Sequence, residues 1–198
     1  MPSYAIPPGL QVFGGAIQFI VDGGFGEASL RASRILVEEG VGKLDAKGVI
    51  LIDRNSWHPV IGTLRAYERI ARELGEIVLY RAGASIPPTA VFPPGIRGAE
   101  GALRSINLAY YLHHGINGEP LLDAAKGVYR GNIGEYRVRK DGERRVLMEC
   151  ENPYPCDFDL GLIEAMARRF EPRAAATHVA SAPCRKRGAK LCSYSVAW

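Results

Sequence analysis

Apolar residues recur every three to four positions over much of this chain, and the places where that rhythm stops divide it into elements. In "SWHPVIGTLRAYERIARELG", Ile61, Leu64, Tyr67, Ile70, Ala71 and Leu74 fall at helical spacing between Ser56, a good N-cap, and Gly75, a stop. This predicts an amphipathic helix, and "EIVLYRAGASI" predicts a second directly after it. A third, "GAEGALRSINLAYYLHHG", carries Leu103, Ile106, Ala109/Tyr110 and His113 on one face and ends at Gly115. A fourth, "CDFDLGLIEAMARRF", has Phe158, Leu162, Met166 and Phe170 four apart. Between the second and third helices the proline-rich "PPTAVFPPG" predicts a loop or lid, because proline lacks the amide donor and restricts its predecessor.

Between the third and fourth helices the period falls from 3.6 to 2. "GEYRVRKDGERRVLMEC" predicts an antiparallel hairpin: Tyr136 and Val138 alternate with charges, Asp141-Gly142 turns, and Val146, Met148 and Cys150 share a face on the return. After the fourth helix, "AAATHVASAPCRKRGAKLCSYSVAW" predicts a second hairpin, with Cys192, Tyr194, Val196 and Trp198 on one face. The first fifty residues are less regular. "VFGGAIQFIVDGG" fits strand or buried helix, "GEASLRASRILVEEG" fits a helix stopping at Gly40, and "KGVILIDRN" fits a short strand. The order is helices, hairpin, helix, hairpin, so the fold class is α+β: helices packed on an antiparallel sheet of hairpins, unlike a βαβ nucleotide binder. The expected division is an N-terminal extension, 1–55, able to act as a dimerisation element, and a ligand-binding domain, 56–198.

Composition narrows the class. The 198 residues are 47% hydrophobic and 23% charged, enough for a substantial core. No apolar run has the length of a membrane span, and "MPSYAIPPGLQ" lacks the basic region and apolar core of a signal peptide, so the expected location is cytoplasmic. The net charge of +4 is mild and spread, and even the basic "RKRGAK" reads as a solvated turn, so nucleic acid is not expected.

In a reducing compartment four cysteines read as free thiols or metal ligands. Pro153 and Pro155 force an extended approach to the fourth helix, which puts Cys156 at its N-terminus, where unpaired amides favour a thiolate. Cys184 and Cys192 flank the turn of the second hairpin, so the three thiols make a three-ligand platform for zinc, with His178 or Cys150 as the fourth ligand. Against this, no pair has CxxC spacing, and buried cysteines are often small apolar residues.

The block from Trp57 to Trp198, above all "CDFDLGLIEAMARRF" followed by "PCRKRGAKLCSYSVAW", resembles the vinyl-4-reductase-type small-molecule-binding domain. That superfamily also holds the sensor domains of phenol-responsive bacterial activators, the haem-based nitric-oxide sensor (H-NOX) fold and the TRAPP vesicle-tethering subunits. The resemblance implies an α+β, commonly dimeric fold with a buried pocket for a small apolar or aromatic ligand. It also implies zinc held by a cysteine near a helix start, an acidic residue three before a second cysteine, and a third cysteine at the end of the turn. Cys156, Cys184 and Cys192 match the cysteines, but the acidic position is Ser181, so His178 or Cys150 must replace it.

The expected function is therefore a non-enzymatic sensor domain with an apolar pocket and a structural zinc. Pocket candidates are Trp57, Tyr67, Tyr110, His113, Met148 and Phe158. The alternatives are a TRAPP-like scaffold and an accessory protein or reductase of tetrapyrrole metabolism. Haem or another tetrapyrrole is expected to be a minority ligand, because adjacent helical residues point apart and only one of His113 and His114 can face a pocket. A homodimer is expected, as is a protein partner for signal output, since no output domain is recognisable after Trp198.

Overall fold

The computed structural model describes residues 6–90, 92 and 94–198. The first sheet begins with β1 (Leu10–Phe13), whose Leu10 and Val12 alternate into the interior. α1 (Gly14–Gly24) follows with no linker, so the ambiguous "VFGGAIQFIVDGG" is strand up to Phe13 and buried helix after it. α2 (Ser29–Glu38) fulfils the helix expected over "GEASLRASRILVEEG". The "VILI" run shrinks to a two-residue strand, β3 (Ile50–Leu51), paired with β2 (Lys43–Leu44).

Two helix ends differ from the expected ones, for one reason. Residues 57–59 form β4 (Trp57–Pro59), which pairs with β1, so α3 (Val60–Leu74) starts four residues after Ser56, whose hydroxyl donates instead to Asp53. Likewise α5 (Gly98–Leu112), which follows α4 (Glu76–Ala84), stops before the His pair, because β5 (His114–Ile116) pairs with the other edge of β1. Strand pairing with β1 overrides local helical periodicity at both ends. β6 (Glu119–Pro120) completes the sheet in the order β4-β1-β5-β6, and β7 (Leu122–Asp123) with β8 (Val128–Tyr129) forms a small ribbon. Residues 10–52 supply a central strand of the first sheet and pack into the same core as the rest of the chain.

The second sheet contains β9 (Glu135–Lys140), β10 (Arg145–Glu151), β11 (Ala175–His178) and β12 (Cys192–Ala197), all antiparallel, in the order β11-β12-β10-β9. Both predicted hairpins are here. Val146, Met148 and Cys150 form the buried face of β10, and Cys150 stands opposite Cys192 and Tyr136. α6 (Cys156–Arg168) lies between the two strand pairs in sequence.

α6 crosses α4 unusually closely. A Cβ on Gly161 would sit 1.9 Å from the Tyr80 carbonyl oxygen, and one on Gly83 would sit 2.0 Å from that of Phe158. Each helix therefore lays its backbone into a notch where the other has no side chain, and this fixes the wall that α6 presents to the interior. Among the described residues, no helix is long and apolar enough to cross a membrane.

Candidate functional site: an apolar cavity beside a Cys/His cluster

A cavity of about 430 Å³ lies between α1, α3, α5 and α6. α6 contributes Phe158, Leu162 and Met166, one i, i+4 stripe, and α3 contributes Thr63 and Tyr67, also i, i+4. Ile106 and Tyr110 of α5 and Ile17 and Ile20 of α1 close the sides. Tyr154, just before α6, stacks on Phe158 with ring centroids 5.3 Å apart, and Tyr67 packs on Phe158 at 5.4 Å. Phe92, from the proline-rich segment, also borders the space; Val91 and Pro93 of that segment lie outside the described residues.

Of the six sequence-derived pocket candidates, Tyr67, Tyr110, His113 and Phe158 line this cavity. Trp57 does not: β4 turns it onto Phe13, centroids 5.4 Å apart, over Gly115. Met148 does not either, because it faces the interior of the second sheet between Val138 and Tyr194. Helices form most of the cavity wall, and the sheets contribute Val12 of β1 and Tyr136 of β9. The α1 wall, Thr63, Tyr154, Leu162 and Met166 were missed. The α6 stripe was visible as a four-residue repeat, but periodicity does not distinguish a residue facing a void from one facing a neighbour.

The two histidines differ in what they can do. Both border the cavity, contrary to the expectation that only one could, because the helix ends at Leu112 and the chain turns into β5 between them. His114 is buried and fully engaged: its Nδ1 is 2.7 Å from the Tyr110 carbonyl, which can only accept, so Nδ1 carries the proton. Its Nε2, 2.7 Å from the Tyr154 hydroxyl, then accepts from it. Burial lowers its pKa to about 4, so the ring is neutral at pH 7. His113 has accessible surface, yet desolvation by surrounding protein also lowers its pKa. Both hold for a ring that fronts the cavity. Among the described residues its ring nitrogens have no hydrogen-bond partner.

No Lys, Arg, Asp or Glu borders the cavity among the described residues. Most of its hydroxyls are satisfied: Tyr110 donates to the Ile133 carbonyl at 2.6 Å, Tyr136 to Asp159 at 2.6 Å and Ser105 to the Ala102 carbonyl at 2.6 Å. Among the described residues, the Thr63 and Tyr67 hydroxyls have no hydrogen-bond partner.

The second constellation lies at the N-terminus of α6. Cys156, Cys184, Cys192 and His178 bring their ligand atoms within 4.8 Å of one another. Cys156 opens α6 after Pro155, Cys192 opens β12, His178 closes β11, and Cys184 precedes the basic turn that joins those two strands. Cys184 Sγ lies 3.8 Å from each of the other two sulfurs, and Cys156 and Cys192 are 3.0 Å apart. Among the described residues, His178 Nε2 is buried without a conventional hydrogen bond, and the His178 side chain helps to favour the Cys192 thiolate. Cys150, the other fourth-ligand candidate, is outside the group: it lies on the buried face of β10 with Val146 and Met148, and burial raises its thiol pKa well above the ordinary value. In the Cys156–Cys192 pair the proton sits on Cys156. Its S–H hydrogen bond and the nearby Arg185 charge favour the Cys192 thiolate, which also accepts from the Arg185 amide at 3.3 Å and Nε at 3.4 Å.

Arg185 is itself buried. Its guanidinium donates to the Asn152 carbonyl at 2.6 Å and pairs with the buried Asp159, which also accepts from Tyr136 of the cavity wall. This tie between cavity and cluster had no sequence signal, since a charged turn usually reads as solvated.

No protein-family model matches this sequence, and no curated protein matches it. Solved structures do. The chain is similar to an H-NOX protein from S. oneidensis in the Fe(II)NO ligation state, with 13% identity, a TM-score of 0.60, and coverage of 93% of this chain and 97% of that one. It is similar to an unliganded Fe(II) H-NOX protein mutant from K. algicida, with 12% identity, a TM-score of 0.56, and coverage of 93% and 95%. A structure described as probing heme distortion in the H-NOX family matches at 12% identity and a TM-score of 0.60, covering 93% and 94%. The α+β fold is therefore H-NOX-like, over nearly the whole chain. One expectation is overturned. Haem does not stand as a minority ligand, because structures that share this fold are described by their Fe(II)NO ligation state and by heme distortion, and His113, whose ring nitrogens have no hydrogen-bond partner among the described residues, borders the cavity.

Proposed function

We propose that this chain is a non-catalytic sensor domain that holds a flat, largely apolar ligand in the helix-walled cavity and is clamped beside it by a structural zinc. The observation that carries this is the cavity itself: about 430 Å³, within the range of small-molecule pockets, walled by aliphatic and aromatic side chains and free of charged ones among the described residues. A scaffold filled by its own side chains would not keep such a space, since interiors are close-packed.

The H-NOX-like fold favours an iron tetrapyrrole as the ligand, and the residues present fit one. His113 would hold the iron, because its ring fronts the cavity, is held neutral, and has free nitrogens among the described residues, whereas His114 has both nitrogens occupied. Bound there, the iron would supply a coordination position for a small ligand. The chain's own part is to hold His114 in one tautomer through Tyr110 and Tyr154, to exclude water with the α6 stripe, and to keep the wall rigid through the Gly83/Gly161 crossing.

The cluster suits zinc. Zn–S bonds of about 2.3 Å in a tetrahedron put sulfurs about 3.8 Å apart, the separation of Cys184 from both partners; the Cys156–Cys192 pair would open by about 0.8 Å. Three thiols and one imidazole close the coordination shell, which makes the site structural. His178 would supply the ligand that an acidic residue supplies in the phenol sensors, where this chain has Ser181, and the three matching cysteines support a relative of the vinyl-4-reductase type. A homodimer is part of this reading: Leu30, Leu44 and Leu51 are exposed on α2 and the β2–β3 hairpin packed against it. Sedimentation at micromolar concentration tests it.

Native mass spectrometry of the protein after exposure to haem and zinc tests the whole. One zinc and one haem per chain are expected, with His113→Ala losing haem and keeping zinc. Retention of haem by His113→Ala with an unchanged absorption spectrum would remove His113 from that role.

A further inference from the structure

The side chains that line the cavity fall into two groups. Ile106, Phe158 and Met166 are buried and belong to its floor, whereas Ala90, Phe92, Leu112 and His113 keep solvent-accessible surface and therefore mark its mouth, between α5 and the proline-rich segment. Arg169 stands at that mouth. It follows Met166, the last cavity residue of the α6 stripe, by three positions, which puts it on the same face one turn further out. Its guanidinium lies over the ring of Phe92, 5.8 Å from the centroid. The neighbouring Arg168 makes the bonds usual for an arginine at a helix C-terminus, an ion pair with Glu164 at 3.1 Å and a hydrogen bond to the Ala174 carbonyl at 2.9 Å. Arg169 is exposed and has no carboxylate or carbonyl partner among the described residues, so its N–H donors face solvent beside the mouth.

Resting on the reading of this cavity as an iron-tetrapyrrole site, we propose that Arg169 binds a carboxylate of the ligand at the mouth and so selects a molecule with an apolar body and an acidic edge. Among the described residues no Lys or Arg borders the cavity, so a carboxylate carried inward would be a buried charge without a counter-ion. At the mouth the same group keeps part of its hydration and meets a guanidinium whose paired donors match its two oxygens. The Phe92 ring supports that guanidinium from one side, which limits the rotamer freedom lost when the carboxylate binds. Orientation follows from the same contact: the acidic edge lies by Phe92 at the C-terminal end of α6, and the apolar edge runs along the stripe towards Phe158. An uncharged ligand of the same shape would fill the cavity and gain nothing from Arg169.

The test is absorption titration of the zinc-loaded full chain with haem and with haem dimethyl ester, which has the same ring and iron but no carboxylate. Arg169→Gln is expected to weaken haem roughly fivefold, the upper end for an ion pair in contact with water, and to change the ester less than about twofold. Added salt should weaken haem binding more in the wild type than in Arg169→Gln. Lys186→Gln is the control for net charge: it removes a cation paired with Asp157 at the opposite end of α6, about 18 Å away, and should bind both ligands as the wild type does. Unchanged haem affinity in Arg169→Gln, equal weakening of haem and ester, or the same loss in Lys186→Gln overturns the proposal and leaves the haem reading standing. Failure of the wild type to bind either ligand overturns both. Because Arg169 is exposed, ligand-free Arg169→Gln should melt within about 2 °C of the wild type, and a larger fall would show that the side chain supports the fold rather than the ligand.

Discussion

Adding one methyl group at Gly161 and one at Gly101 should move stability in opposite directions, although both glycines are helical. In an open helix Gly→Ala is favourable by up to about 1 kcal/mol, because alanine loses less backbone entropy on folding. Gly101 of α5 meets that condition: the nearest atom to an added Cβ is Ile96 Cγ2 at 3.6 Å, an ordinary contact. At Gly161 the added Cβ would sit 1.9 Å from the Tyr80 carbonyl oxygen, 2.8 Å from its carbon and 3.1 Å from the Ala84 nitrogen, all backbone atoms of α4 that no rotamer change can remove. Real contacts of this kind need about 3 Å, so α6 must retreat from α4 by about 1 Å. A radial gap of that size forfeits a quarter to a half of each facing dispersion contact, and together with overpacking strain the cost should be about 3 kcal/mol or more. For a chain near 200 residues each kcal/mol moves the melting temperature by about 2–4 °C. Differential scanning calorimetry of the zinc-loaded protein should then show Gly161→Ala about 6–12 °C below the wild type and Gly101→Ala about 2–4 °C above it. A Gly161→Ala protein that melts at or above the wild-type temperature would refute the close crossing, and with it the account of what fixes the α6 wall.

Acidification should weaken the fold through His114. Its folded pKa of about 4 lies below the ordinary 6.5, so its contribution is complete above pH 6.5 and is lost as the pH falls towards 4. By pH 4.5 the loss is about 2.5 kcal/mol, with His113 adding in the same direction. Urea midpoints at pH 7 and 4.5 should diverge less in His114→Gln than in the wild type, and an unchanged difference would exonerate this ring. Elemental analysis should find zinc lost from Cys192→Ser and weakened in His178→Ala but retained in Cys150→Ser, since Cys150 lies outside the cluster; loss of metal in Cys150→Ser would reverse the choice of fourth ligand. Arg185→Ala should cost about 3–5 kcal/mol by leaving Asp159 buried and unpaired, and Arg185→Lys should rescue little, because an ammonium cannot reach Asn152 and Asp159 together in the guanidinium's fork; denaturant melts decide.

Elements whose signals are local were legible from residue order alone. The α3, α4, α5 and α6 segments, the Asp141-Gly142 hairpin and the C-terminal hairpin all follow from period, turn chemistry and helix-breaking residues, which act over a few residues. The three-cysteine platform was legible for a related reason: a proline-stopped helix start and one hairpin hold Cys156, Cys184 and Cys192, so little long-range geometry is needed to bring them together. Tertiary structure decided the rest. Pairing with β1 moved the start of α3 to Val60 and ended α5 at Leu112, and that second change put both His113 and His114 on the cavity. Only the second sheet's register could choose His178 over Cys150, because it fixes which side chains of β10, β11 and β12 share an end and which share a face. The cavity had no sequence signature at all. Phe158, Leu162 and Met166 have the same spacing whether they meet neighbours or enclose a void, and the difference arises from how far apart the glycine crossing of α4 and α6 and the packing of α1 hold four helices whose contacts are distant in the chain.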